Sequence, residues 1–244
     1  MPIPGGTGKV PDVMSFSSRE YGARVGFYRV LDAIQEIGAL GTATVNSSVV
    51  EAYPELVQAM SEASWEVMGH SITNSRRLSE LSEEEEGLEI AEVTQTLTDA
   101  FGRAPAGWLG AGLTERWTTL DRLVENGYSY VADWALDDRP NTALDGALVT
   151  VPYPLEVNDK PAFDSRLMTP DEFAGTAIRT FDVLLRESAD EPRVMAIALH
   201  PYLIGAPHRI ESLRRLLGHM REAEGVWWTT GGEIASRYRE ETGR

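Results

Sequence analysis

Thr42–Ala43–Thr44–Val45–Asn46 is a short β-branched run, Pro54 opens a segment carrying Leu56, Val57 and Met60 at helical spacing, and Trp65–Glu66–Val67–Met68 is a second apolar run ending at Gly69–His70. β-Branched and aromatic residues suit a pleated surface, and proline suits the first turn of a helix. The stretch from 42 to 70 therefore reads as strand, helix, strand. Two strands joined through a helix run parallel.

The same alternation extends in both directions. Val25, Tyr28, Leu31, Ile34 and Ile37 recur at helical spacing before Gly38. Ser82 with Glu85 is a capping box ahead of a helix that stops at Gly102. Gly107–Gly110, Tyr128–Ala132, Ala147–Tyr153, Val194–Leu199 and Val226–Thr229 read as further strands, the fourth of these set as one buried on both faces. Thr169–Pro170–Asp171–Glu172 starts another helix. At least six strand–helix repeats without a composition break imply one α/β domain, a closed or nearly closed (β/α) barrel over 21–244. Residues 1–20, rich in Pro, Gly and Ser, read as an irregular arm. Gly5–Gly6–Thr7–Gly8–Lys9 is not a phosphate loop, because its glycine spacing is short and Val10 follows the lysine. The segments 137–146 and 156–169 read as long connections.

Composition excludes several functions. The 22 basic residues against 38 acidic ones give a net charge of −16 over 244 residues, which argues against nucleic acid or an anionic membrane as partner. Cysteine is absent, so there is no disulfide, thiolate metal site or cysteine nucleophile. The first ten residues do not form a secretory signal, and no apolar run approaches the ~20 residues that cross a bilayer. A cytoplasmic protein acting on a small molecule or sugar is expected.

Ligands of parallel α/β folds bind at the carboxyl ends of the strands. His70, Trp108, Asp133 with Trp134, Tyr153 followed by Glu156, Asn158 and Asp159, and His200 all fall there. Two of only four histidines thus lie at strand ends beside acids and aromatics. Each also has a bland reading: His70 and His200 as hydrogen-bonded loop residues, Asp133 as a cap, Trp108 and Trp134 as core aromatics, His208 and His219 as surface groups, Glu83–Glu86 as a solvated first turn.

At these residues the sequence resembles the polysaccharide deacetylase (NodB-homology) superfamily, in its allantoinase-like, cyclic-imide-hydrolase-like and peptidoglycan-deacetylase-like branch. Tyr21–Gly26, Trp65–Ser71, Gly102–Trp108, Val151–Tyr153 with Asn158–Asp159, and Leu199–Tyr202 with Pro207–Arg209 run in family order. The resemblance implies a distorted (β/α) barrel whose members hydrolyse carbon–nitrogen bonds in amides, N-acetyl sugars or cyclic ureides. It implies His200 as general acid and Trp108 in the pocket wall. It makes His70 a ligand of a divalent metal such as zinc, although the family's second histidine, four residues on, is replaced here by Asn74. The family's first strand, ending in an acid, has no counterpart before Tyr21; within residues 1–18 Asp12 is the sole acid.

The expected reaction is hydrolysis of an amide-like bond. His200, His70 and Asp133 are its candidate catalytic residues. Trp108, Trp134, Tyr153, Asn74, Glu156, Asn158, Asp159 and His208 are its candidate substrate contacts, and Asp133, Glu156 or Asp159 could orient a histidine or replace the missing base. The two imidazoles, far apart in sequence, are expected to serve one substrate. The alternatives are an inactive barrel acting as a ligand-binding or partner subunit, and an unrelated barrel enzyme with structural histidines. A missing first strand leaves sheet edges that a homo-oligomer would cover.

Overall fold

A computed structural model describes residues 12–243. Gly5–Lys9 and most of the N-terminal arm lie outside these residues. Two compact units share the chain: Met1–Ala39, Pro154–Arg186 and Ala196–Val226 make one, and Leu40–Tyr153, Glu187–Met195 and Trp227–Arg244 the other. Among the described residues no helix is long and apolar enough to cross a membrane.

The second unit holds the sheet. β1 (Thr42–Val45), β2 (Glu66–Gly69), β3 (Gly107–Trp108), β4 (Tyr130–Val131), β5 (Asn141–Ala143) and β6 (Leu148–Thr150) stand in the order β1-β2-β3-β4-β6-β5. All neighbours are parallel except β5 and β6. The α/β class and parallel pairing agree with the sequence reading, but the hydrogen-bonded ladder of the expected barrel is open, ending at β1 and β5. The core includes Met68, Leu109, Tyr130, Val149 and Val151, with Ala235 of the last helix packed on them. Ser82 caps the helix Glu83–Phe101 as its sequence foretells, and Gly102 ends it with a φ of 69°.

Several expected elements take other forms. Val13–Tyr21 is helical, not irregular, because Asp12 caps it: its carboxylate accepts from the Ser15 amide at 3.0 Å and the Ser15 hydroxyl at 2.8 Å. Val194–Leu199 forms no ladder strand. Its pairing is a single parallel bridge between Ala198 and Asn158, and of its side chains only Ala198 is buried. Val226–Thr229 is not a strand either. Trp227 is 58% exposed, and Thr230 and Glu233 form the capping box of the helix Gly231–Thr242. The strand β5 lies inside a segment read as a loop. It turns into β6 through Leu144, Asp145 and Gly146, all with positive φ, and Asp-Gly is a hairpin signal that the sequence reading passed over.

The first unit is helical. The π-type turn Gly22–Gly26 joins the helices Val13–Tyr21 and Phe27–Glu36, and the short turn Pro201–Ile204 lies against it. This contact explains two glycines of Tyr21–Gly26. A Cβ on Gly22 would sit 2.7 Å from Tyr202 Cβ, and one on Gly26 would sit 2.8 Å from the Pro201 carbonyl carbon. The close approach seats the backbone that follows His200.

Gly26→Ala is predicted to lower unfolding stability by about 1–3 kcal/mol through overpacking. Gly218→Ala is the control. No atom lies within 4 Å of its new Cβ, so it should be neutral or stabilising by up to ~1 kcal/mol. Urea unfolding of both variants checks the pair, and an equal effect of the two would remove the packing argument.

Candidate active site

Strand register builds the site in the sheet unit. Gly69 pairs with Trp108 and Trp108 with Val131, the last step of the ladder across β2, β3 and β4. The next residues along these strands are His70, Leu109 and Ala132, and one further on are Ser71, Gly110 and Asp133. Two sequence-predicted residues, His70 and Asp133, are thereby brought to one edge. The chain turns sharply after His70: Ser71 has a φ of 56°, and its fully buried hydroxyl has no hydrogen-bond partner. Backbone held in this region is a form of stored strain that clusters at functional sites.

His70 Nδ1 hydrogen-bonds the Leu109 carbonyl. A carbonyl only accepts, so this nitrogen carries the proton and the neutral ring keeps its lone pair on Nε2. The amide of the following residue, Gly110, donates to both oxygens of Asp133 at 2.9 Å. Asp133 lies beside the carboxyl of Glu115. The buried Glu115 Oε1 meets no hydrogen-bond donor, and a proton on either acid supplies one. Glu115 Oε2 accepts from the Trp134 indole at 2.9 Å. Burial, then the charge of Glu115, raises the Asp133 pKa above the ordinary carboxylate range. Burial, reinforced by the charge of Glu86, raises that of Glu115 against the opposing Trp134 hydrogen bond.

The neighbourhood of His70 does not fit a metal. Asn74, in place of the family's second histidine, donates its amide to Asn46 Oδ1 at 3.0 Å, and Asn46 donates its own amide to the His70 carbonyl. These amides link the Asn74 and Asn46 side chains to the His70 backbone. Among the described residues no group of three or more His, Asp or Glu side chains is placed to hold a metal ion.

In the helical unit, His200 is held by Asp159. The fully buried carboxylate accepts from the ring Nδ1 at 2.6 Å and from the His200 backbone amide at 2.9 Å. The Asp159 amide donates to the Ala198 carbonyl at 3.0 Å, which fixes the two segments against each other. Carboxylate and ring are thus locked together, with Nε2 as the remaining ring nitrogen of a side chain 31% exposed. The Tyr202 ring meets the imidazole edge-on at 5.9 Å, and Lys160 Nζ donates to the Tyr202 hydroxyl at 3.1 Å.

Other sequence candidates take different places. Asp159 is a support for His200, not an exposed ligand contact. Trp108 is fully buried and packs edge-on against Tyr128 at 5.4 Å, so its ring belongs to the core. Asn158 is buried, and its side chain accepts from the Lys160 amide at 3.0 Å. Glu156 and His208 are exposed, the latter in the first turn of the helix Pro207–Arg221. Tyr153 packs on the Met68–Tyr130 core, and Trp134 is 41% exposed beside Glu115. Sequence reasoning missed Glu115 and Asn46. Asn46 ends β1 and falls under the strand-end rule that found His70. Glu115 sits on an irregular connection and gave no signal.

The polysaccharide deacetylase family matches residues 18–131. A Schizosaccharomyces pombe protein named as a polysaccharide deacetylase is 32% identical over 90% of this chain and 74% of its own length. The peptidoglycan deacetylase of Helicobacter pylori is 21% identical over 89% of this chain and 85% of its own. The fold is similar to a crystal structure of Puue allantoinase, with a TM-score of 0.88 and 27% identity over 95% of this chain and 78% of that one. A Pseudomonas aeruginosa PAO1 structure named as a polysaccharide deacetylase gives 0.86 and 26% over the same shares.

The acid pair has a consequence for stability. Both groups bind a proton more tightly folded than unfolded, so the folded chain carries the extra proton between the ordinary carboxylate range and the raised one. Stability contributed by the pair is complete below that window and is lost as pH rises through it. Glu115→Gln keeps a permanent donor toward Asp133. It is predicted to flatten the fall in unfolding free energy between about pH 5 and pH 8 that the raised carboxyls predict for the parent. Urea unfolding across that range checks it, and identical slopes would count against the shared proton.

The ordered residue matches, the parallel sheet and the relatives that span most of the chain agree: this chain belongs to the polysaccharide deacetylase family.

Proposed function

We propose that the chain is a hydrolase of amide-like, non-peptide carbon–nitrogen bonds, acting on an N-acetylated sugar or a cyclic ureide or imide. Family membership removes the reading as an unrelated barrel enzyme. The observation that carries the proposal is the Asp159–His200 pair, in which a buried carboxylate holds an imidazole by both its ring and its backbone. An imidazole fixed in this way is placed to pass a proton to a leaving nitrogen. His200 is the general acid of the proposed reaction.

Hydrolysis also needs a base for the attacking water. The tautomer of His70 puts a lone pair on Nε2, which suits it to accept that proton. In the proposed reaction no step passes through a metal. The Trp134 ring and Tyr153 supply apolar faces for a flat or cyclic substrate. The names of similar proteins support both substrate classes: peptidoglycan deacetylase on one side and allantoinase on the other. We further propose a cytoplasmic homo-oligomer, supported by the end position of β1 in the sheet and tested by light scattering.

The experiment offers the purified chain N-acetylglucosamine oligomers and allantoin, following acetate release and ring opening. Turnover of one of them is expected. His200→Ala is predicted to lower kcat about 100- to 10,000-fold with KM little changed, and dialysis against a chelator to leave kcat unchanged. A His200→Ala variant with the parent's kcat would withdraw the acid assignment. The rival reading, an inactive ligand-binding or partner subunit, is favoured by Asp12. Of the two acids before Tyr21 among the described residues, Asp12 is engaged in capping a helix and Glu20 in an ion pair with Arg24 at 2.8 Å. Saturable binding without turnover would support that reading.

A further inference from the structure

Leu109 and Gly110 contribute the two ends of one peptide group. Its carbonyl receives the His70 Nδ1 proton, and its N–H donates to Asp133 at 2.9 Å. We propose that Glu115 and Asp133 are positioning residues that act through this peptide to hold His70 in its Nδ1–H tautomer. The inference assigns to Glu115, a residue outside the motif stretches that carry the family resemblance, a role in setting the chemistry of an imidazole it does not touch. Its bearing on catalysis rests on the proposed hydrolase reading; the tautomer itself does not.

The physical argument is polarisation. A peptide whose N–H is bound to a carboxylate has a more electron-rich carbonyl, so hydrogen bonds at its two ends strengthen each other. The stronger acceptor favours the ring nitrogen that carries hydrogen. Glu115 lies beside Asp133 and is itself clamped at one oxygen by the Trp134 indole. Gly110 is required where the carboxylate closes on the backbone, since a Cβ there would sit 2.9 Å from Asp133 Oδ1 and 3.1 Å from the Thr114 carbonyl. The next charged groups outward are Glu86, which takes hydroxyl bonds from Thr118 and Thr119, and Arg116, whose Nε lies 3.9 Å from Glu86. Burial raises the pKa of both acids in support of the same picture, because a pair that shares a proton carries one negative charge rather than two.

The test needs no substrate. Ring-nitrogen NMR of uniformly 15N-labelled protein, at a pH where His70 is neutral, reports which nitrogen carries the proton. His70 is assigned by the loss of its signals in His70→Gln. The parent is expected to show a pyrrole-like Nδ1 and a pyridine-like Nε2. Asp133→Ala removes the acceptor of the Gly110 amide and is expected to yield mixed tautomers. Should that variant fail to fold, Asp133→Asn retains the geometry without charge. Its Gly110 amide and His70 Nδ1 protons are expected to move upfield together. Glu115→Gln, which retains a donor toward Asp133, is expected to keep the parental ring pattern and so act as rescue by a conservative variant. A pyrrole-like Nε2 in the parent, or an unchanged His70 ring in a folded Asp133→Ala or Asp133→Asn, would overturn the relay. Neither result bears on whether His200 protonates a leaving group, so the two proposals fail separately.

Discussion

The register of three short strands is the constraint on which the sheet-unit site depends. β3 and β4 are only two residues each, and the ladder across β2, β3 and β4 ends at Gly69, Trp108 and Val131. A slip of one residue would point every side chain to the opposite face. Two features resist that slip. A Cβ on Gly69 would lie 2.6 Å from both the Trp108 ring and the Tyr128 hydroxyl, and the same Trp108 is fully buried. The large aromatic of one strand therefore fits only over the missing side chain of the next. With that fit made, His70, the Leu109–Gly110 peptide and Asp133 arrive at one edge without any loop having to place them.

Two carboxylates in this chain, the buried Asp159 and the half-buried Asp133, meet the cost of burial in different ways. Asp159 faces only donors, a backbone amide and an imidazole, so its charge is compensated where it sits. Asp133 meets two bonds from one amide and then another acid. There the cost of a second buried charge is relieved by a proton. The first arrangement fixes a ring directly. The second reaches a ring through a peptide and leaves its charge dependent on pH.

The strand–helix alternation and the parallel sheet were legible because they rest on local patterns: caps at Ser82 and Thr169, glycine stops at Gly38 and Gly102, and apolar runs that stop at polar residues. His70 and Asp133 were legible by the strand-end rule alone. Val194–Leu199 misled because an apolar run reports burial or pairing but not which; here a single bridge at Ala198 takes the place of a ladder. The helix Val13–Tyr21 was hidden behind Ser15, Ser17 and Ser18, which read as loop residues, although Asp12 and Ser15 stand at capping spacing. Glu115 was beyond reach. It comes from a connection where Gly112 and Leu113 turn with positive φ, and no periodicity relates such a residue to a strand it approaches in space.

The amides of Asn46 and Asn74 give the clearest case of one position carrying another chemistry. An imidazole at 74 would offer a lone pair toward a cation. The carboxamide there is committed as a donor to Asn46, which is committed as a donor to the His70 carbonyl. Each bond stiffens the edge where β1 and β2 end, and each removes an acceptor that a metal would need. The same substitution that makes a cation site unfavourable therefore fixes the backbone of His70. In the proposed reaction the imidazole is the base, and its tautomer is the quantity the surrounding structure has to control. On the proposal above, the half-buried acid pair one peptide away from His70 is a physical means of doing so, in a place where two adjacent carboxyl groups are otherwise costly.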